Sequence, residues 1–263
     1  MNDLLKLKAV QSTRRLSRVV AERARFALRV ATRSRSIGRY HLAGADVVIH
    51  LRHGSVDVIT LEEIFLRGHY EPPTEAASTL RQADRPLRVV DLGANIGLFG
   101  ALIRRTHPSA QMVAFEPDPT NAALLRRSIE ANGGQERWQL IEACAAAEDG
   151  MVPFVAHEDT SSRVVADAGA ETMVQAVDVF PFLEDVDLLK IDIEGAEWPL
   201  LTDPRFQVDV ARVVALEYHP FGCPSPDAGA FARTLLEDRG FETAASSFHL
   251  PPGYGMLWAW RPA

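Results

Sequence analysis

One stretch of the sequence, from Val89 to Gly100, constrains the fold more than any other. Two β-branched residues lead into Asp91, glycines follow at positions 93 and 97, and an apolar helical pattern comes next. This is the order of a strand, a tight turn and a helix start, which brings backbone N–H groups close to a small ligand. A dinucleotide-binding turn requires G-x-G-x-x-G, whereas the glycines here are spaced G-x-x-x-G-x-x-G. The turn therefore predicts a different small ligand.

Strands and helices alternate regularly from Leu87 onward. The sequence predicts strands at 87–91, 111–115, 138–144, 187–192 and 210–218, helices at 96–106 and 119–131, and two last strands at 241–245 and 256–260. Repeated strand–helix units of this length are typical of an α/β fold with a mostly parallel, doubly wound sheet. A loop rich in glycine and proline joins the last two strands, so we expect them to form an antiparallel edge pair.

The segments outside this alternation are less regular. We expect a strand at 46–52, a helix at 58–66, mostly loop with one helical turn at 74–86, short strands at 152–155 and 172–177, and a flexible loop at 159–163. Four ring side chains either line a substrate entrance or are ordinary half-buried polar residues: His50, His53, His69 and Tyr70.

Polar side chains stand at the ends of the predicted parallel strands. They are Asp91, Glu116, Cys144 with Ala145, Asp192 with Glu194, and Glu217 with His219. Ligands of open α/β sheets bind beyond the carboxyl ends of the strands. A single carboxylate there is ordinary, because Asp commonly caps the next helix. Carboxylates at four of five strand ends indicate a functional site.

The spacing of two of these acids suggests a nucleoside ligand. Glu116 follows Asp91 by 25 positions and ends the next strand. An acid about 20 positions beyond a glycine turn can accept both hydrogen bonds from a ribose diol. Asp91 would repel a pyrophosphate but would suit a cation. S-adenosylmethionine satisfies both expectations, because it combines a ribose with a sulfonium and an ammonium.

Four short motifs then point to a family that the chain resembles. They are Asp91-Leu-Gly-Ala-Asn-Ile-Gly97, Phe115-Glu116-Pro117, Leu189-Lys190-Ile-Asp192-Ile-Glu194-Gly195-Ala-Glu197 and Ala215-Leu216-Glu217. Their order and spacing resemble the FkbM family, which comprises class I methyltransferases that depend on S-adenosylmethionine. The resemblance covers roughly residues 87–220. The block 190–197 is its most specific part, since a generic Rossmann-like domain has no reason to carry it.

The resemblance implies a Rossmann-like sheet of seven strands with a reversed last strand. It also implies methyl transfer, usually to a hydroxyl oxygen of a sugar, polyketide or other natural product. Its motifs assign a methionine-binding loop and a ribose site, and we add the third strand end as a cofactor contact: Asp91, Gly93, Asn95, Gly97, Glu116 and Ala145. Nothing in the resemblance bears on residues 1–40.

A hydroxyl acceptor must lose its proton during methyl transfer, and four residues are candidates to frame it and take that proton. They are Asp192, Glu194, Glu217 and His219. Asp192 and Glu194 point to one strand face, where pairing can raise the pKa of one of them. Lys190 could instead neutralise Asp192. A third possibility is a divalent cation held by Asp192, Glu217 and His219; no spacing demands one, so we assign no metal ligand.

Charge is distributed unevenly along the chain. Residues 1–40 hold 11 lysines and arginines against two acidic residues, a net charge of +9, whereas the remainder holds 17 basic against 33 acidic residues, or −16. The acidic body is a poor candidate for binding nucleic acid. The basic amphipathic segment predicts helices at 3–35. Three roles suit these helices. The first is an arm that binds a membrane surface or nucleic acid. The second is a capping helix that packs on the same domain or on a second subunit, and the third is an organelle transit peptide.

These features divide the chain into three predicted parts: a basic helical extension at 1–40, a lead-in at 41–86 that covers the substrate side, and a methyltransferase catalytic domain at 87–263. Two cysteines without C-x-x-C spacing favour the cytoplasm, and no apolar run approaches the ~20 residues of a membrane span. Two alternatives remain. One is a nicotinamide-dependent oxidoreductase, which the glycine spacing disfavours; the other is a degenerate methyltransferase fold that serves as a binding module.

Overall fold

The computed structural model describes residues 13–155, 163–164 and 172–262. Its helices are α1 (Arg23–Ala31), α2 (Asp57–Leu66), α3 (Thr74–Arg81), α4 (Leu98–Thr106), α5 (Pro119–Ala131), α6 (Glu197–Thr202) and α7 (Ala228–Asp238), with 3-10 turns at Ser17–Val19 and Phe180–Phe182. Its strands are β1 (Ile37–His41), β2 (Val48–Arg52), β3 (Arg88–Leu92), β4 (Gln111–Phe115), β5 (Trp138–Ile141), β6 (Cys144–Ala146), β7 (Gly150–Val155), β8 (Arg163–Val164), β9 (Thr172–Asp178), β10 (Leu188–Ile191), β11 (Val213–Tyr218), β12 (Glu242–Ala245) and β13 (Gly255–Trp260).

Seven strands form the central sheet in the order β12-β13-β11-β10-β3-β4-β5. The five strands from β11 to β5 are parallel to one another, whereas β13 runs antiparallel to both β11 and β12. This arrangement confirms the predicted α/β fold with a reversed last strand. The chain adds strands on one side of β3 and then on the other, so a crevice opens at the carboxyl ends of β3 and β10, where ligands of such folds bind.

The lead-in packs on the sheet through α3, which contacts β11 and β13, and on α5 through β2. Strands β1 and β2 form an antiparallel hairpin, and Asn132 at the end of α5 fixes it. The side chain of Asn132 accepts a hydrogen bond from the Val48 N–H at 2.8 Å and donates one to the Val48 carbonyl at 2.7 Å. The apolar residues Val20 and Phe26 are fully buried in the same core cluster as Leu51 of the hairpin. Residues 13–31 are therefore part of the folded body.

Three predictions of secondary structure were wrong or incomplete. Residues 74–86, expected to be mostly loop, contain the two-turn helix α3, because Ala76 and Leu80 lie four positions apart and both are buried. The strand expected at 138–144 is split: β5 ends at Ile141, and β6 pairs with β9 in a second sheet of order β6-β9-β7-β8. Strand β1 has no counterpart in the sequence prediction.

Other predictions fall partly outside the described residues. These are the first ten positions of the helices expected at 3–35 and most of the loop expected at 159–163. Among the helices that are described, none has the length and apolar character needed to cross a bilayer.

Candidate active site

A cavity of about 390 Å³ opens at the carboxyl ends of the central strands. That volume is within the usual range for small-molecule sites. Most of the residues selected from the sequence line it: Gly93, Asn95, Glu116, Ala145, Asp192, Glu194, Glu217 and His219. The two remaining selected residues, Asp91 and Gly97, are not among the lining residues; they lie behind the glycine loop and support it.

The glycine loop reaches the cavity in a conformation that its sequence makes possible. Gly93 has φ +79°, and a Cβ atom there would lie 1.8 Å from the backbone oxygen of Asp192. Only glycine allows the β3 and β10 backbones to approach so closely. Gly97, at φ +86°, starts helix α4 from the left-handed region. Asn95, the middle one of the three residues between these glycines, also has a positive φ of 51°.

Glu116 is buried beside this loop, and backbone groups hold its carboxylate in place. Oε2 accepts a hydrogen bond from the Asn95 N–H at 2.7 Å, and Oε1 accepts one from the Asp118 N–H at 2.9 Å. Burial raises the pKa of Glu116 to about 7, although these two hydrogen bonds act in the opposite direction. Oε1 also accepts a long hydrogen bond from the Asn121 side-chain amide at 3.5 Å, so Oε2 is the oxygen that keeps a further lone pair for a ligand hydroxyl.

Asp91 contacts a lysine instead of the cavity. Lys190 lies opposite Asp91 in the β3–β10 register, and its Nζ is 3.1 Å from Oδ1 of Asp91. The same Nζ donates a hydrogen bond to the Gly93 carbonyl at 2.6 Å. Burial alone would lower the pKa of Lys190, but the charges of Asp91 and Asp192 outweigh it and raise the pKa. This buried pair fixes the loop from behind.

Asp192, Glu194 and His219 converge on one wall of the cavity. His219 Nε2 lies 3.5 Å from Oε2 of Glu194 and 4.0 Å from Oδ1 of Asp192. Burial raises the pKa of Glu194 to about 8. Burial would lower the pKa of His219, but the hydrogen bond to Glu197 and the charge of Asp192 raise it to about 9. Burial dominates the shift of Glu194, whereas the neighbouring carboxylates cause that of His219.

The sequence does not predict the role of Glu197, although this residue ends the family motif at 190–197. Glu197 is 0% exposed. Its Oε2 accepts a hydrogen bond from the Gly195 N–H at 2.8 Å. Its Oε1 accepts one from the His219 N–H at 2.6 Å and lies 3.2 Å from His219 Nδ1. Glu197 therefore joins the loop after β10 to the end of β11 and orients the imidazole of His219.

Aromatic rings from distant segments complete the wall formed by Asp192, Glu194 and His219. His69 Nε2 lies 3.0 Å from Oε2 of Glu217, and the His69 ring is stacked between Tyr70 and Phe248 at centroid distances of 4.5 and 4.2 Å. The Tyr70 hydroxyl donates a hydrogen bond to Oδ2 of Asp192 at 3.0 Å. The two other ring residues considered from the sequence, His50 and His53, contact Ser128 and Tyr40 away from the cavity.

Comparison with known proteins gives a consistent result. The family model described as "Methyltransferase FkbM domain" matches residues 91–243. Methyltransferase 1 of Beauveria bassiana is 30% identical over 186 residues, covering 59% of this chain and 72% of its own. Methyltransferase sdnD of Sordaria araneosa is 29% identical and covers 66% and 81%. The 2-O-methyltransferase NoeI of Sinorhizobium fredii is 23% identical and covers 49% and 62%.

Proposed function

The chain belongs to the FkbM methyltransferase family, and we propose that it transfers the methyl group of S-adenosylmethionine to a hydroxyl oxygen of a sugar, polyketide or other natural product. One observation carries this proposal. The buried carboxylate beside the glycine loop and a cluster of carboxylates with an imidazole line the same cavity. The arrangement offers a nucleoside site and an acceptor site within one volume.

The residues of the glycine-loop wall fit the cofactor. Glu116 would accept hydrogen bonds from the ribose hydroxyls, and the backbone of Gly93 and Asn95 would border the methionine moiety, with Ala145 beside the base. Asp91 and Gly97 act indirectly, because they hold the loop in place. S-adenosylmethionine supplies a methyl group already activated on a sulfonium, so the protein has only to align the acceptor and remove its proton.

We call the wall that carries Asp192, Glu194, Glu217 and His219 the acceptor wall. It suits a hydroxyl acceptor because the pKa of an alcohol lies far above neutrality, so a nearby group has to take its proton. Asp192, Glu194, Glu217 and His219 would surround the hydroxyl, and the proton would pass to one of them as the new oxygen–carbon bond forms. The name of one relative, the 2-O-methyltransferase NoeI, supports oxygen as the acceptor atom. The family membership and the intact glycine loop argue against both an oxidoreductase and a binding module without activity.

Isothermal titration calorimetry with S-adenosylhomocysteine tests the cofactor site. We expect saturable binding to the wild-type chain and a loss of about tenfold or more in affinity for Glu116→Ala, because a ribose contact of this kind is worth about 1.5–3 kcal/mol. Glu75→Ala, at an exposed acid on α3, is the matched control and should bind like the wild type. Absence of binding to the wild-type chain, or equal affinity for Glu116→Ala, would refute the proposal.

We also propose that the basic segment attaches the enzyme to an anionic membrane surface. Its described part buries several apolar residues in the core but exposes eight arginines: Arg14, Arg15, Arg18, Arg23, Arg25, Arg33, Arg35 and Arg39. Two apolar residues of the same segment, Leu28 and Ile37, are also 63% and 44% exposed. Cationic surfaces with apolar side chains bind anionic lipid. Self-association of this segment is the competing outcome.

We also propose that the protein is located in the cytoplasm. The thiols of Cys144 and Cys223 are free, which supports a reducing compartment.

A further inference from the structure

Three side chains on the acceptor wall present polar atoms to one another across a short gap. One oxygen each of Asp192 and Glu194 and a ring nitrogen of His219 lie within 4.8 Å of one another. Oδ2 of Asp192 is taken by the Tyr70 hydroxyl and lies 3.5 Å from Lys190 Nζ, so Oδ1 is the atom that faces His219. Nε2 of His219 lies near two carboxylates, at 3.5 Å from Glu194 Oε2 and 4.0 Å from Asp192 Oδ1, and the His219 side chain is 1% exposed.

The separations are too long for hydrogen bonds but suit ligands of one ion. Nε2 is 3.5 Å from Glu194 Oε2 and 4.0 Å from Asp192 Oδ1, whereas protein hydrogen bonds are about 2.7–3.2 Å long. Two atoms each about 2.1 Å from a cation are roughly 3.0 Å apart at a right angle and about 4.2 Å apart on opposite sides. The two separations from Nε2 fall between these limits.

The imidazole is also oriented as metal-binding histidines are. His219 Nδ1 lies 3.2 Å from the fully buried carboxylate of Glu197. Because metal binding releases protons from its ligands, this contact would hold the proton on Nδ1 while Nε2 loses its own proton and binds the cation. A carboxylate behind a histidine that fixes its tautomer is the usual outer-sphere partner of a metal ligand. This contact is independent of the distances between the three candidate ligands.

We propose that Asp192, Glu194 and His219 bind a divalent cation of the Mn²⁺ type in the acceptor half of the cavity. Two carboxylates and one imidazole suit a cation of intermediate hardness. Three protein ligands leave positions open for water and for the acceptor hydroxyl, whose pKa the cation lowers. Glu217, a candidate ligand in the sequence analysis, is not included because its Oε2 lies 3.0 Å from His69 Nε2. We assign it instead the role of receiving the proton of the acceptor hydroxyl. This role of the cation rests on the proposed function.

Titration with Mn²⁺ alone, followed by electron paramagnetic resonance of the free ion, tests the site. We expect one Mn²⁺ bound per wild-type chain and a loss of about tenfold or more in affinity for Glu194→Gln and for Asp192→Asn. Glu63→Gln makes the same chemical change at another residue lining the cavity and should bind like the wild type. Circular dichroism of each variant establishes that it is folded. No saturable binding to the wild type, or unchanged affinity for both ligand variants, would overturn the proposal.

A parallel titration with S-adenosylhomocysteine separates this proposal from the proposed function. Mn²⁺ binding without nucleoside binding would support the cation site and refute the methyl-transfer cavity. Nucleoside binding without Mn²⁺ binding would do the reverse. Turnover at an unchanged rate in excess EDTA, with no ion retained, would likewise overturn the cation site and leave the proposed function standing.

Discussion

The carboxylate of Glu197 and the imidazole of His219 form a fully buried pair in which one oxygen, Oε1, serves both the backbone N–H and Nδ1 of the histidine, at 2.6 and 3.2 Å. The second oxygen of Glu197 accepts from the Gly195 N–H. One side chain therefore joins the end of β11 to the loop after β10. The position of His219 in the cavity depends on this contact.

Replacing Glu197 with glutamine should disturb both the fold and the site. A glutamine has one acceptor oxygen, so its amide N–H groups would face a backbone donor at either Gly195 or His219. Leaving a buried donor without an acceptor costs about 1–3 kcal/mol. We expect the free energy of unfolding, measured by urea denaturation, to fall by that amount and Mn²⁺ affinity to fall with it. Unchanged values for both would contradict the assigned role.

The stability of the protein and its affinity for the cofactor should respond to pH in opposite directions. Burial raises the pKa of Glu116 from 4.5 to about 7. The contribution of this group to stability is complete below pH 4.5 and is lost as the pH rises from 4.5 through 7, on the order of 3 kcal/mol. The ionised carboxylate is the form that accepts ribose hydrogen bonds, so affinity for S-adenosylhomocysteine should rise over the same interval.

Glu116→Gln provides the control for this pH dependence. Urea denaturation and calorimetry between pH 5 and 8 should give curves for the variant that are flatter than those of the wild type. Equal slopes for the two proteins would show that another group titrates. The comparison uses slopes because the substitution also changes the absolute stability, through the N–H groups of Asn95 and Asp118.

Lys190 and Asp91 should prove strongly coupled in a double-mutant cycle. Lys190→Met leaves Asp91 buried without its cationic partner, and the removal of one member of a buried ion pair costs about 3–5 kcal/mol. Adding Asp91→Asn removes the uncompensated charge, so the double variant should recover much of the loss. The measurement is the free energy of unfolding of all four proteins. Additive losses would contradict direct pairing.

Exposed arginines of the basic segment should control sedimentation with vesicles that contain an anionic lipid. We expect a variant with four arginines of the segment replaced by glutamine to remain in the supernatant; the four are Arg14, Arg15, Arg18 and Arg23. A variant with the same loss of charge on the body should sediment like the wild type: Arg81, Arg105, Arg127 and Arg137. Binding should weaken as salt is added. Equal sedimentation of the two variants, or concentration-dependent dimerisation without vesicle binding, would refute membrane attachment.

The parts of the fold that could be predicted are those encoded locally. The apolar runs that form β3, β4 and β10 are bounded by turn residues, and their ends place Gly93, Glu116 and Asp192 on one rim. The parts that could not be predicted depend on distant partners. Residues 138–144 read as one strand because only pairing with β9 divides them.

The site was predictable to the same extent. Strand ends identified the lining carboxylates, but the partner of Asp91 follows from the register between β3 and β10. The role of Glu197 depends on the burial of a side chain next to the end of β11. His69 enters the site through stacking against Phe248, from the opposite end of the chain. Sequence spacing carries no signal for contacts of this kind.

The position of the transferred methyl group tests the proposed O-methyl transfer most directly. The wild-type chain is incubated with S-adenosylmethionine labelled with ¹³C in the methyl group, in the presence of a panel of hydroxylated and aminated acceptors, and the products are examined by NMR. We expect the label to appear as an O-methyl carbon in a hydroxylated acceptor, with Glu116→Ala giving no labelled product. A label found on nitrogen or carbon would contradict methyl transfer to a hydroxyl oxygen.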